Sequence, residues 1–117
     1  MDYKSHCIFL LKYDFWANNN VAGVLSENNL NAGKPIELFS HIINAEIIWL
    51  GRIKKISNFL CDPFGVRSLE ECADLFKSVN SDWNEFISSL SENDFNKLIE
   101  YKNLKGEDCI SEIWEIT

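Results

Sequence analysis

Three stretches of the chain repeat apolar residues at helical spacing, and a fourth begins to do so near its end. Between Lys4 and Ser26, Ile8, Leu11, Phe15, Ala22 and Leu25 recur at steps of three, four or seven, the spacing of one helical face. Asn18, Asn19 and Asn20 interrupt the stripe with weak helix formers, but neither glycine nor proline enters it before Gly23. The turn residues from Asn28 to Pro35 predict a loop.

Pro35 suits the first position of a second helix, where its missing N–H leaves no bond unmade. Phe39, Ile43, Glu46, Leu50 and Ile53 follow at alternating steps of four and three, the seam of a bundle helix. Leu38, Ile42, Ala45 and Trp49 form a second stripe beside it. Apolar over most of its circumference, this helix is expected to be the most buried. It ends before Cys61, because Pro63 and Gly65 mark a turn.

The third helix has the clearest start. Ser68 and Glu71 form a capping box, in which each side chain satisfies the other's unpartnered backbone N–H. Leu69, Cys72, Phe76, Val79, Trp83, Phe86 and Leu90 then hold one stripe, and Ser91 to Asp94 ends it. A short extended stretch is expected at Leu98–Tyr101, with a turn at Lys105–Gly106. Ser111 reads as the N-cap of a fourth helix, which Ile113, Trp114 and Ile116 open and which remains a stub at Thr117. The pattern predicts an all-α up-down four-helix bundle, one domain over residues 1–117, with its fourth helix incomplete.

Composition supports a packed core: 117 residues, of which 46% are hydrophobic and 13% aromatic. A net charge of −7, with no basic cluster denser than Arg52–Lys55, argues against nucleic-acid partners, which require phosphate neutralisation. It also disfavours an anionic membrane surface. No run reaches the roughly 20 apolar residues of a membrane-spanning helix, and the first residues do not read as a signal peptide. Cys7, Cys61, Cys72 and Cys109 show no C-x-x-C spacing. They are expected to be reduced thiols, and the compartment is expected to be the cytoplasm.

Phosphate loops, nucleophile elbows and H-E-x-x-H pairs are absent from the sequence. Of the two histidines, His6 reads as structural or solvent-facing. His41 lies at the edge of the apolar face beside Leu38, Ala45 and Ile48, as a core-edge histidine or a metal ligand. Glu46 falls on the buried seam, where a carboxylate needs a partner. Asn18 or Asn19 on the first helix could supply one. Alternatively, Glu46 supports a ligand or works as an acid or base in an interhelical pocket. Trp16, Trp49, Trp83 and Trp114 fall one per helix, with Trp49 and Trp83 expected in or near the core.

The stretch YDFWANN followed by LFSHIINAEIIWLGRI resembles the DinB/YfiT-like family of small four-helix proteins. Tyr13, Trp16 and Asn18 match its helix-one pattern, and His41, Glu46, Trp49 and Arg52 match that of helix two. YKNLKGE resembles its link into the last helix. The resemblance implies a bundle that is often dimeric, with a divalent metal such as zinc or nickel held by three histidines. One comes from helix two and an H-x-x-x-H pair from helix four, leaving an open coordination position. Some relatives are thiol-dependent transferases or isomerases that use low-molecular-weight thiols, whose thiolates such a metal favours.

By this resemblance His41 is the sole metal-ligand candidate retained, and Trp16, Asn18, Glu46 and Trp49 surround the pocket. The pair on helix four falls beyond SEIWEIT, Cys109 precedes that helix, and His6 is wrongly placed to substitute. The expectation is therefore an incomplete metal site and an inactive chain at this length. Its open groove would favour a homodimer or a bound partner helix.

Overall fold

Asp2 starts the first helix by accepting a hydrogen bond from the Ser5 amide at 2.7 Å. That amide has no acceptor within the helix, so a cap satisfies it. The computed structural model describes residues 2–54, 62–103 and 105–116. Helix α1 runs Tyr3–Glu27, α2 Lys34–Lys54 and α3 Leu69–Ser89, in agreement with the three periodic stretches. Asn28 closes α1 by donating its side-chain amide to the Val24 carbonyl at 2.8 Å. Asn29 then turns the chain at φ 55°, a left-handed conformation that asparagine tolerates better than most residues. The capping box of α3 is formed as expected: the Ser68 hydroxyl accepts from the Glu71 amide at 3.0 Å and Glu71 accepts in return from the Ser68 amide.

Helix α3 packs against both α1 and α2, which scarcely touch one another. Phe39, Ile43, Cys72, Phe76, Ile87 and Phe95 are fully enclosed at the centre. Helix α2 buries the most residues, and Phe39, Ile43, Leu50 and Ile53 of its seam lie inside. Its second stripe behaves differently. Ala45 and Trp49 are half-buried, while Leu38 and Ile42 are 53% and 42% exposed. Ala45 and Trp49 line a cavity together with residues of α1, while Leu38 and Ile42, nearer the start of α2, stay open to solvent.

After α3 a short 3₁₀ helix, Glu92–Asn96, buries Phe95. Strands β1 (Leu98–Lys102) and β2 (Asp108–Glu112) follow as an antiparallel hairpin, and α4 is one turn, Ile113–Ile116. The extended stretch and the turn at Lys105–Gly106 are present, with Gly106 at φ 79°. The fold is therefore mostly helical with a small two-stranded sheet.

Ser111 does not cap a helix. It pairs with Ile99 across the hairpin, and its hydroxyl meets the Tyr101 hydroxyl at 3.1 Å. The cross-strand ladder satisfies the backbone that a cap would have served. Glu115 instead reaches back to the Glu112 amide at 2.8 Å, the return half of a capping box one residue later than expected. Among the described residues no helix is long and apolar enough to cross a membrane. Lys55, Cys61 and Thr117 lie outside the described residues.

Candidate functional site

Two side chains one turn apart on α3 hold the walls of a cleft. Asn80 donates to the Leu11 carbonyl of α1 at 3.0 Å, and the Trp83 indole donates to the Glu46 carbonyl of α2 at 3.1 Å. Asn80 and Trp83 share a helical face because they are three residues apart. The gap above them is a cavity of about 400 Å³, within the range of small-molecule sites. Tyr13 and Asp14 of α1, Glu46 and Trp49 of α2, Trp83 of α3 and Ile116 of α4 line it.

Glu46 reaches this cavity because it sits three residues after Ile43 and four before Leu50, on the core-facing side of α2. Burial pushes its carboxyl up to about 8, and hydrogen bonding to Asp14 and the charge of Asp14 add to the shift. The Asn18 amide opposes it and also donates to Asp14 at 3.3 Å. Two carboxyl groups so close cannot both ionise cheaply, so Glu46 holds its proton through neutral pH. The expected partner Asn18 is therefore present, but Asp14 is the more influential one. Its signal in the sequence is its position four residues before Asn18, on the same helical face.

His41 stands elsewhere. Five residues separate it from Glu46, which is roughly 140° around a helix. Its Nδ1–H donates to the Pro63 carbonyl at 2.7 Å, and its ring stacks on Phe64 at 5.2 Å. Neighbouring residues hold the same link: Asn44 donates to the Gly65 carbonyl, Arg67 Nε donates to Asn44, and Ser40 accepts from the Arg67 amide. His41 is thus part of a clamp on the segment entering α3.

Trp16 lies outside the cavity, 61% exposed and tilted against Tyr13. Trp49 lines the cavity on one side and meets the edge of Tyr101 on the other, at 4.9 Å. The Arg52 guanidinium lies 4.6 Å from the Trp49 ring and 5.1 Å from that of Tyr101. Arg52 therefore ties α2 to the hairpin. Of the expected site residues, Glu46 and Trp49 meet at the cavity and Asn18 supports it, while His41 and Trp16 do not contribute to its wall.

The donors available do not fit the metal site that the resemblance implies. Three imidazoles cannot come from two histidines, and His6 and His41 lie on different helices, both exposed. Cys109 is on β2, away from the Glu46 carboxyl pair. Among the described residues, no group of three or more His, Cys, Asp or Glu side chains is placed to hold a metal ion. Compared with protein-family models, curated proteins and solved structures, the chain matches none of them.

Proposed function

We propose that this chain is a DinB/YfiT-like bundle protein whose functional site is the cavity between α1 and α2. The site takes a small molecule with an apolar body and exchanges a proton with it through Glu46. One observation supports this reading above the rest. Tyr13, Glu46 and Trp49, which carry the resemblance on two separate helices, line the same cavity, and Asn18 contacts its carboxyl pair.

A carboxyl group held near neutrality by burial is suited to general acid–base work, because it can give and recover a proton without a large penalty in either direction. Glu46 would be the acid or base, Asp14 the carboxyl that tunes it, and the rings of Tyr13, Trp49 and Trp83 the walls that keep water away. The thiol-dependent transfer or isomerisation known among relatives, with zinc or nickel, would require ligands that the described residues do not provide. We therefore assign no step to a metal. In this reading the protein works in the cytoplasm and without a nucleic-acid partner.

Trp49 and Trp83 flank the cavity, so their fluorescence reports entry of a ligand. A screen of small amphiphiles is expected to find binders of the native chain, and Ala17→Leu, which fills the α1 wall, should weaken them roughly tenfold or more. If no amphiphile binds, or if Ala17→Leu binds all of them as well, the cavity is not the site.

A second reading rests on a different observation. Phe9, Tyr13 and Trp16 on α1 and Leu38 and Ile42 on α2 expose large apolar side chains, and Tyr13 also lines the cavity. Such a surface suits a second copy or a partner helix. Sedimentation separates the cases: a homodimer that Trp16→Ser dissociates supports it, and a monomer throughout removes self-association.

A further inference from the structure

The cavity has an unusual balance of lining groups. Two carboxyl groups stand among the rings of Tyr13, Trp49 and Trp83, and the described residues place no lysine, arginine or histidine in its wall. The groups facing Glu46 are Tyr13, Asp14 and Asn18 from α1, Trp83 from α3 and Ile116 from α4. The nearby cation of α2 itself, Arg52, is stacked on Trp49 and Tyr101. His41 is held by Pro63 on another side of the helix.

We infer that the ligand of this cavity is an organic ammonium with an apolar body, seated between the Glu46 and Asp14 carboxyl groups and the aromatic walls, and that its binding displaces a proton from Glu46. This rests on the cavity being the functional site. An anionic or thiolate head would meet two carboxyl groups and no compensating charge. A neutral head could hydrogen-bond to the pair but would leave its proton in place. An ammonium does better on three counts. It replaces the positive charge of the departing proton, its N–H groups donate to the carboxylate oxygens, and the aromatic walls attract a cation through their ring faces. The protein's net charge of −7 also draws cations toward the cleft.

The proton balance is simple. R–NH3⁺ enters carrying its own charge, the O–H bond of the Glu46 carboxyl breaks, and the proton passes to buffer. No bond of the ligand is broken. Below the range in which Glu46 ionises, binding must displace that proton, so affinity rises with pH. The bulk charge of an alkylammonium stays constant over the same range, since amines of the lysine type titrate at about 10.4.

Calorimetry on the full chain with n-hexylammonium and its neutral counterpart n-hexanol tests the inference, each in two buffers of different ionisation enthalpy. Hexylammonium is expected to bind at least about tenfold more tightly than hexanol. It should also release about one proton near pH 7 and tighten by up to about tenfold per pH unit between pH 6 and 8. Glu46→Gln should flatten that pH dependence. Equal binding of hexanol, or hexylammonium binding without proton release, overturns the ammonium assignment while leaving the cavity as a binding site. Binding of neither probe overturns this inference, and the amphiphile screen then decides separately whether the cavity is a site at all. The buffer comparison needs only the native chain, so the result does not depend on how Glu46→Gln folds.

Discussion

Raising the pH from about 5 to 8 is expected to destabilise the native chain and to leave Glu46→Gln nearly unchanged. In the folded protein Glu46 keeps its proton up to about 8, whereas its ordinary value is 4.5. Between these two values the folded state binds a proton that the unfolded state has already lost, so stability falls as pH rises. Above the upper value both states are ionised and the curve is flat. A fully isolated group would contribute ~1.4 kcal/mol per pH unit. For a carboxyl that keeps some contact with solvent, a total on the order of 2 kcal/mol is expected. Urea midpoints of the two proteins across this range test the point, and parallel curves would remove Glu46 as the cause. Asp94 does not interfere. Hydrogen bonding to Lys97, then to Ser91, holds its carboxyl at about 2, so its influence lies on the acid side of the window.

The largest single loss of stability is expected from Phe76→Ala. Phe76 is enclosed, with ring centroids 5.5 Å from Phe15 and 6.3 Å from Phe39. It therefore joins α3 to both other long helices. Its truncation removes buried apolar surface and leaves a cavity that three helices cannot close together, at about 3–5 kcal/mol. That is a large share of the roughly 5–15 kcal/mol that separates a folded domain from its unfolded chain. Trp16→Ala removes a bigger ring from an exposed position and should stay within about 0.5 kcal/mol. Equilibrium unfolding of dilute protein measures both. Equal losses would mean that Trp16 is covered or that Phe76 is not central.

The three long helices were legible because each advertises itself locally, through a stripe and, for α3, a capping box. What a partner decides was less legible. Ser111 has the chemistry of a cap, but the neighbour that determines its conformation is Ile99, which is reachable only through a turn and a register. Leu38 and Ile42 read as buried because periodicity shows which side of a helix is apolar without showing whether anything lies against it. The site divides in the same way. Glu46 stood out because a carboxylate on a seam contradicts its neighbours, and Asn18 followed as a donor. Asp14 shows no such conflict with its neighbours, and its role depends on the Glu46 carboxyl that α2 brings across the cavity. His41 matched a motif, but the residue that orients it, Pro63, lies in the link between helices, where sequence spacing carries no direction.

The two hydrogen bonds by which α3 grips its neighbours also bear on the order of assembly. Trp83 and Glu46 are 37 residues apart in the chain, whereas Asn80 and Leu11 are 69 apart. Closing the shorter loop costs less chain entropy, though only modestly so, since the cost grows with the logarithm of length. On loop closure alone the α2–α3 pair would form before α1 settles on it, although α1 makes the larger contact with α3 in the finished fold. Asp14 and Asn18 ride on α1, so Glu46 waits in water, with an ordinary carboxyl's acidity, until that last docking event. In hydrogen exchange, the amides of α1 would then open ahead of those of α2 and α3. A ligand held across the cleft would act as a latch on α1, slowing exchange there well before it altered the rest of the molecule.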